Sequence, residues 1–313
     1  YFFWFSLGML FYCYAGYGIL VFLLNNIRVL FVKNKSLPPA EWPALTLIIS
    51  AFNEEAILEQ KIINTLALDY PPDKLRILVV TDGSIDSSPE IVGRFPAVQL
   101  LHDPERKGKY AAIKRAMRKV RTPVVVFSDA NCMLNSECLK KMTAHYSNPE
   151  VGAVAGEKKI LRNIYASAVG EAEGIYWQYE SFLKRMDAEL YTVTGASGEL
   201  FSLRTALFRE LDQDVILDDF VISMQVCLQG YRIEYEPDAF STESPSASLA
   251  EEEKRKIRIS SGAFQSLGYL KGCLNFFRHP LLSFQFISRR LLRWVLCPLA
   301  LIALLVSNIT IVS

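Results

Sequence analysis

The chain has 313 residues, 51% of them hydrophobic, a formal charge of +1 and a mean hydropathy of +0.18. These values argue against a wholly soluble enzyme of this size, and no nucleic-acid partner is expected. The six cysteines (Cys13, Cys132, Cys138, Cys227, Cys273 and Cys297) are scattered, with no C-x-x-C and no His at metal-ligand spacing. That pattern indicates neither a zinc site nor a disulfide framework and fits a reducing compartment.

No charged residue occurs from Tyr1 to Ile27, a run that at ~1.5 Å per residue crosses a hydrocarbon core of about 30 Å. It is longer than the apolar part of a signal peptide, and no basic segment precedes it. Trp294 to Ser313 is again free of charge. Without a starting Met, and ending inside an apolar run, the chain reads as part of a longer protein whose second span is cut short. Arg28, Lys33 and Lys35 follow the first span, and Arg278, Arg289, Arg290 and Arg293 precede the last. The positive-inside tendency then puts the intervening chain in the cytosol, as part of an integral membrane protein. The expected division is a transmembrane helix over 1–34, a cytosolic domain over 35–254, basic and amphipathic interface helices over 255–288 and a second transmembrane helix over 289–313.

After a Pro-containing linker from Lys35 to Pro43, the pattern becomes α/β. Leu45 to Ala51 predicts a strand, followed by Phe52-Asn53-Glu54-Glu55 and a helix with Ile57, Leu58, Ile62, Ile63 and Leu66 at helical spacing. Leu75 to Thr81 predicts a second strand, ending in Asp82-Gly83-Ser84-Ile85-Asp86, a turn and helix cap. A short strand over Val98 to Leu101 precedes Lys107-Gly108-Lys109, which opens a helix over Tyr110 to Val120. Val124 to Phe127 predicts a buried strand delivering Asp129 and Asn131 to its C-terminal edge, where open α/β sheets bind ligands. Strands alternating with helices at this spacing predict a parallel, doubly wound sheet.

The second half predicts strands over Val151 to Ile160, Leu190 to Thr194, Leu200 to Leu203 and Tyr231 to Glu236. Between them lie a helix over Val169 to Met186, carrying Glu171, Glu173, Tyr176, Trp177, Tyr179 and Glu180, and a small-residue loop, Gly195-Ala196-Ser197-Gly198-Glu199. A further helix begins at Leu217-Asp218-Asp219-Phe220 and ends at Gly230. Phe264, Leu267, Leu270, Leu274 and Phe277 recur at three or four residues, which predicts an amphipathic helix in the membrane interface.

If the strand ends line one pocket, it holds Asp82, Asp129, Asn131, Asp218 and Asp219, with Lys109, Arg255 and Arg258 as cations. Carboxylates facing a polyphosphate make physical sense with a bridging divalent cation, Mg²⁺ or Mn²⁺, and so point to a nucleotide substrate. The absence of G-x-x-x-x-G-K-[ST] and of a helix-opening G-x-G-x-x-G disfavours a P-loop NTPase and a Rossmann dehydrogenase. A transferase also needs a base for the attacking hydroxyl. Asp218 or Asp219 can serve, but a helix N-terminus lowers a carboxylate pKa, so burial or acidic neighbours must restore basicity. The plainer expectation is that one of the two is an N-cap. A transporter is disfavoured because neither span holds an ionisable residue.

In sequence order, Ser50-Ala51-Phe52-Asn53-Glu54-Glu55, Thr81-Asp82-Gly83-Ser84-Ile85-Asp86, Gly108-Lys109, Asp129-Ala130-Asn131, Gly195-Ala196-Ser197-Gly198 and Leu217-Asp218-Asp219 resemble the membrane-embedded family 2 glycosyltransferases. These are relatives of cellulose, hyaluronan and poly-N-acetylglucosamine synthases, with a GT-A domain. The resemblance implies a Rossmann-like nucleotide-sugar-binding fold and an inverting transfer from a UDP-sugar. It puts Ala51, Asn53 and Glu55 beside the nucleoside, Asp82 on the base, Lys109 near the nucleotide and Asp129 on the metal. Asn131 stands where the family's D-x-D has its second acid, and is left to the metal or the sugar. The loop from Gly195 to Glu199 borders donor or acceptor, and Asp219 is the base. Processive members carry Q-x-x-R-W, whereas this chain reads Arg255-Lys256-Ile257-Arg258-Ile259. Arg258 keeps the cation that steadies the leaving diphosphate, but the acceptor-stacking Trp is Ile259. The expectation is one or a few transfers onto a lipid-linked or membrane-proximal glycan acceptor, among membrane lipids. A processive synthase and a non-catalytic nucleotide-sugar binder are the alternatives.

Overall fold

The computed structural model describes residues 1–29, 41–160, 168–211, 215–243 and 249–312. Most of the linker expected from Lys35 to Pro43 lies outside them, with Lys33 and Lys35 of the basic flank. So do the side chains of Glu171, Glu173 and Tyr176.

Helices α1 (Phe2–Phe11) and α2 (Tyr17–Val29) are joined by a π-helical turn, Tyr12–Gly16. Then β1 (Leu45–Ala51), β2 (Leu75–Asp82), β3 (Val98–Asp103) and β4 (Val124–Asp129) run parallel in the order β3-β2-β1-β4. They alternate with α3 (Glu55–Leu66), α4 (Ser88–Gly93) and α5 (Lys109–Met117). Their unbroken apolar runs follow from burial on both faces. Leu45, Leu47 and Ile49 pack with Leu58 and Ile62 of α3 on one side, while Ile48 joins Ile113 and Ala116 of α5 on the other.

The remaining elements are β5 (Cys132–Leu134), α6 (Cys138–Ala144), β6 (Val151–Ile160), α7 (Ala168–Leu190), β7 (Phe201–Arg204), α8 (Asp218–Leu228), β8 (Arg232–Glu243), α9 (Leu249–Tyr269), α10 (Pro280–Phe286) and α11 (Cys297–Val312). The sheet has eight strands in the order β3-β2-β1-β4-β7-β6-β8-β5, with β7 antiparallel to β4 and β6, and β5 antiparallel to β8. The all-parallel expectation is therefore corrected to a mixed sheet. Phe201, which opens β7, pairs with Phe127 near the end of β4. The chain thus enters β7 from the C-terminal edge of the parallel strands and runs back, leaving the loop before it on that edge.

Three further expectations change. Leu190 to Thr194 is not a strand: α7 continues to Leu190, and the next residues are tied to β8 by Ile233 N donating to Thr192 Oγ1 (2.8 Å) and Val193 N to Ile233 O (3.0 Å). The N-cap of α8 is Leu217, so neither Asp218 nor Asp219 caps it. The helix expected through Phe264 to Phe277 stops at Tyr269, and a 3-10 turn, Lys271–Leu274, follows. Leu270 and Cys273 turn into the core with no exposure, while Phe277 is fully exposed. Gly272 marks the close approach, since a Cβ there would stand 2.9 Å from Leu228.

Two helical runs are long and apolar enough to cross a membrane: Phe2–Arg28, of 27 residues, and Pro280–Ile309, of 30. The outward side chains of Phe2, Trp4, Phe5, Leu301, Ile302, Leu305 and Ile309 are all more than half exposed, which suits lipid and not water. α1 packs along α11, and α2 lies on α7 through Tyr17, Val21, Leu183, Met186 and Leu190. Of the arginines expected before the second span, Arg289, Arg290 and Arg293 lie inside the second run, and Arg278 lies just ahead of it. Arg289, 3% exposed, pairs with Asp187 (2.9 Å) and Glu180 (3.0 Å), and Arg293 also pairs with Glu180 (2.7 Å).

Candidate active site

The site is assembled from the C-terminal ends of β1, β2 and β4, the loop before β7 and the first turn of α8. At the end of β1, Asn53 takes a left-handed backbone (φ 54°), a conformation Asn tolerates. Its Oδ1 accepts from Ile85 N (3.0 Å), and its N–H donates to Ser84 Oγ (3.2 Å). Glu54 N donates to Ser88 Oγ (3.0 Å), Glu55 N donates to Asp86 Oδ2 (2.9 Å), and Glu55 Oε2 accepts from Ser87 N (3.0 Å). Two loops remote in sequence are thereby stitched into one wall beside Ala51. The Arg106 guanidinium stacks on the Phe52 ring at 3.7 Å on that wall. Sequence reasoning missed this contact, because Arg106 carries no motif.

Asp82 is 3% exposed, and its Oδ2 accepts from Lys107 N (2.8 Å) and Gly108 N (2.7 Å). It anchors the loop that opens α5, so contact with a nucleobase would require that loop to give way. Gly83 (φ 69°) lies so close beneath that a Cβ would stand 2.5 Å from Arg106 Cβ.

The centre of the site is Gly198. A Cβ built there stands 3.0 Å from Lys109 Nζ and 3.4 Å from both Asp129 Oδ2 and Asp219 Oδ2. Residues from α5, β4 and α8 converge on that point, and Lys109 Nζ donates to Asp129 Oδ1 (2.6 Å). Asp218 lies behind them, 4% exposed, with Oδ2 buried and without a hydrogen-bond partner among the described residues. Burial first, then the Asp218 charge, push the Asp219 carboxyl up to about 7. This is the restored basicity that a carboxylate at a helix N-terminus requires. Burial raises Asp218 as well, against the opposing pull of Lys109; the Arg258 charge reaches it and favours its ionised form. Burial alone would lower Lys109, but Asp218, Asp129 and Asp219 hold it firmly protonated.

A second polar cluster borders the first. Lys158, 5% exposed, pairs with Glu199 Oε1 (2.7 Å) and with Glu243. Asn131 Nδ2 donates to Glu243 Oε1 (2.8 Å), and Arg255 Nη2 lies 3.7 Å from Glu199 Oε1. Burial alone would raise Glu199, yet the Lys158 ammonium holds it down at about 2. Lys158 and Glu243 were missed from sequence, although a charged Glu157-Lys158-Lys159 at the end of an apolar strand was a visible signal. Asn131 and Arg255 are thus brought to the site's edge and engaged with acids.

Among the described residues, no three His, Cys, Asp or Glu side chains form a cage able to hold a metal by themselves. The donor set still fits a divalent cation shared with a substrate. Three carboxylates act on one ammonium, Asp218 Oδ2 lacks a partner among the described residues, and Asp129 presents an oxygen at the convergence point, to which diphosphate oxygens would add the ligands the protein does not supply. With Nδ2 given to Glu243, the Asn131 amide retains Oδ1 as its acceptor end.

The sequence profile of Glycosyl transferase family 2 matches residues 46–212, more than half of the chain. The chain is a family 2 glycosyltransferase. Asp218, Asp219 and Arg258 of this glycosyltransferase lie beyond the matched segment; the fold brings Asp219 to the Gly198 convergence point, and the Arg258 charge reaches Asp218. Poly-beta-1,6-N-acetyl-D-glucosamine synthase of Staphylococcus aureus strain COL is 25% identical over 261 residues, and that of Staphylococcus epidermidis 23% over 248. These alignments cover 80% and 77% of this chain, but 62% and 58% of those proteins. The GT-A fold is shared with a mannosyltransferase from Pyrobaculum calidifontis solved with GDP-Man and Mn²⁺: TM-score 0.76 and 23% identity, covering 98% of this chain and 87% of that one. Residues 1–349 of S. aureus TarS superpose with a TM-score of 0.55 at 16% identity, over 78% of this chain and 70% of that one.

Gly198→Ala in the glycosyltransferase should lower turnover at least about tenfold, ~1.4 kcal/mol in the barrier. Its methyl group would fill the point on which Lys109, Asp129 and Asp219 converge, while the backbone there lies outside the left-handed region. Steady-state rates beside a thermal melt check this, because a melt lowered in step with the rate would mean a folding defect instead.

Proposed function

We propose that the enzyme transfers one or a few sugars, with inversion, from a UDP-sugar to a lipid-linked or membrane-proximal glycan acceptor, with Asp219 as general base. The observation that carries this reading is the convergence of Lys109 Nζ, Asp129 Oδ2 and Asp219 Oδ2 at Gly198. A carboxyl near 7 is matched to taking a proton at neutral pH. The acceptor hydroxyl gives its proton to Asp219 as its oxygen bonds to the anomeric carbon. The electron pair of the opposite carbon–oxygen bond leaves with the nucleoside diphosphate. Lys109 and Arg258 carry the charges that meet the departing diphosphate, and Asp218 keeps Asp219 basic. Asp129, assisted by Asn131, would hold Mg²⁺ or Mn²⁺, which would supply charge neutralisation on the diphosphate. Ala51, Asn53 and Glu55 border the nucleoside, with Asp82 behind the loop that closes it. The cluster of Glu199, Lys158, Glu243, Asn131 and Arg255 faces the sugar.

In this reading the catalytic domain lies on the cytosolic side of an inner membrane, where nucleotide sugars are made, with both apolar helices in the bilayer and residues 255–288 at its surface. A second reading, processive synthesis, is favoured by the names of the curated relatives, while Ile259 in place of an aromatic residue favours few transfers. Nucleoside diphosphate release from a panel of UDP- and GDP-sugars, with Mn²⁺ or Mg²⁺ and membrane lipid extract, tests the proposal. Release from one UDP-sugar that stops with chelator is expected. Release from a GDP-sugar alone would overturn the donor assignment, and a product of many identical units would establish the second reading.

A further inference from the structure

Arg290 belongs to the second helical run that is long and apolar enough to cross a membrane, yet it points into the α/β domain. Its Nε and Nη2 both donate to Thr194 O, at 2.9 and 2.7 Å, and its guanidinium lies over the Phe220 ring at 5.2 Å. Phe220 directly follows Asp219, and two more residues of the same run hold its ring. Trp294 meets it edge-on at 5.4 Å, and Phe286 stacks at 6.4 Å. Thr194 directly precedes the loop that ends at Gly198 and Glu199. The next residue, Gly195, has φ 103°, and a Cβ there would stand 2.3 Å from Phe220. Ser223 completes the joint: its Oγ accepts from Ala196 N (3.0 Å) and donates to Phe220 O (3.0 Å). The loop and the first turn of α8, which hold two sides of the convergence point, are thus pressed together by one guanidinium.

We propose that Arg290 is a positioning residue, through which the second membrane helix sets the distance between Asp219 and the Gly198 loop. It acts without touching substrate. A planar guanidinium suits the task because it donates two bonds in one plane while stacking on rings with its faces, which an ammonium cannot do. Transfer is sensitive to such placement, since a displacement of about 1 Å in a reacting group costs on the order of a hundredfold. The second span is therefore a structural part of the active site as well as an anchor. This inference rests on Asp219 as the base.

The test uses the full chain in detergent, with UDP plus Mn²⁺ as the binding probe and nucleoside diphosphate release as the rate. Arg290→Met should lower kcat about thirtyfold or more, with donor KM and UDP Kd within about threefold of wild type. Arg290→Lys should fail to restore the rate. Phe220→Leu should show the same split between kcat and KM, and the double variant should be little worse than Arg290→Met alone, because both changes break one joint. Wild-type turnover in Arg290→Met, a Kd that rises in step with the lost rate, or effects that multiply would each overturn the proposal. If Arg290→Met shows no cooperative melt, Phe220→Leu decides alone: a kcat-only loss supports the joint, and an unchanged kcat overturns it. Asp219→Asn is run alongside. If that variant retains turnover, the base assignment fails and this inference falls with it; if it is inactive while Arg290→Met is fully active, only the positioning role fails.

Discussion

Asp219→Asn is expected to lower turnover about a thousandfold, within the 10²–10⁴ range of general-base catalysis, while UDP affinity changes less than about threefold. The amide keeps the shape of the side chain beside Gly198 but cannot accept the proton of an acceptor hydroxyl. In the wild type, activity should rise with pH through about 7 as the Asp219 carboxyl ionises, and the residual activity of the variant should lack that limb. The stability effect has the opposite sign. A carboxyl raised in the folded state above its ordinary value binds more protons folded than unfolded, so its contribution is lost as pH rises from about 4 to about 7. Asp219→Asn removes that loss and should melt no lower than wild type at pH 8. A variant that loses UDP binding together with turnover would assign Asp219 to the nucleotide instead.

Asp129→Ala should remove most metal-dependent nucleotide binding, weakening UDP affinity at least tenfold in the presence of Mn²⁺, ~1.4 kcal/mol. Asp129 is delivered to the sheet edge by β4 and shares Lys109 with the site at 2.6 Å. Its loss leaves Lys109 to Asp218 and Asp219, whose charges also hold it protonated. The ammonium is then drawn toward Asp219, so turnover should fall further than binding. Calorimetric titration of UDP with Mn²⁺ and with chelator measures the first effect. Wild-type binding that ignores the chelator would refute the metal role, whatever the variant does.

The parts of the site legible in sequence are those set by local chemistry. Asp82, Asp129 and the Asp218–Asp219 pair stood out because a polar residue ending an apolar β-branched run, or opening an amphipathic helix, has few reasons to be there, while the choice of Asp219 within the pair came from the family resemblance. Their shared use of Gly198 was not legible. Lys109, Asp129, Gly198 and Asp219 come from four segments, and no periodicity states the distance between strand ends. Lys158 and Glu243 escaped for a related reason. Each looks like an ordinary surface charge until β6 and β8 pair and bury the ammonium between two carboxylates. The interface helix misled because Leu270 keeps helical spacing with Phe264 and Leu267, yet turns inward where Gly272 lets the chain close on Leu228.

By itself the sequence determined that an α/β domain lies between two apolar, uncharged segments, with carboxylates ending its strands. Hydrophobic period, length and charge are local properties that dictate which faces leave water. Only the tertiary structure decided that β7 runs backward along the edge of β4, and that this reversal leaves the Gly195–Glu199 loop facing Asp219. It alone decided that Arg289, Arg290 and Arg293 reach interior acceptors, the first and last on carboxylates of α7 and the second on Thr194 O. Arg290 meets its carbonyl 96 residues away along the chain. A buried guanidinium must find oxygen acceptors or leave its hydrogen-bonding unmet, and which acceptors lie within reach is a property of packed helices.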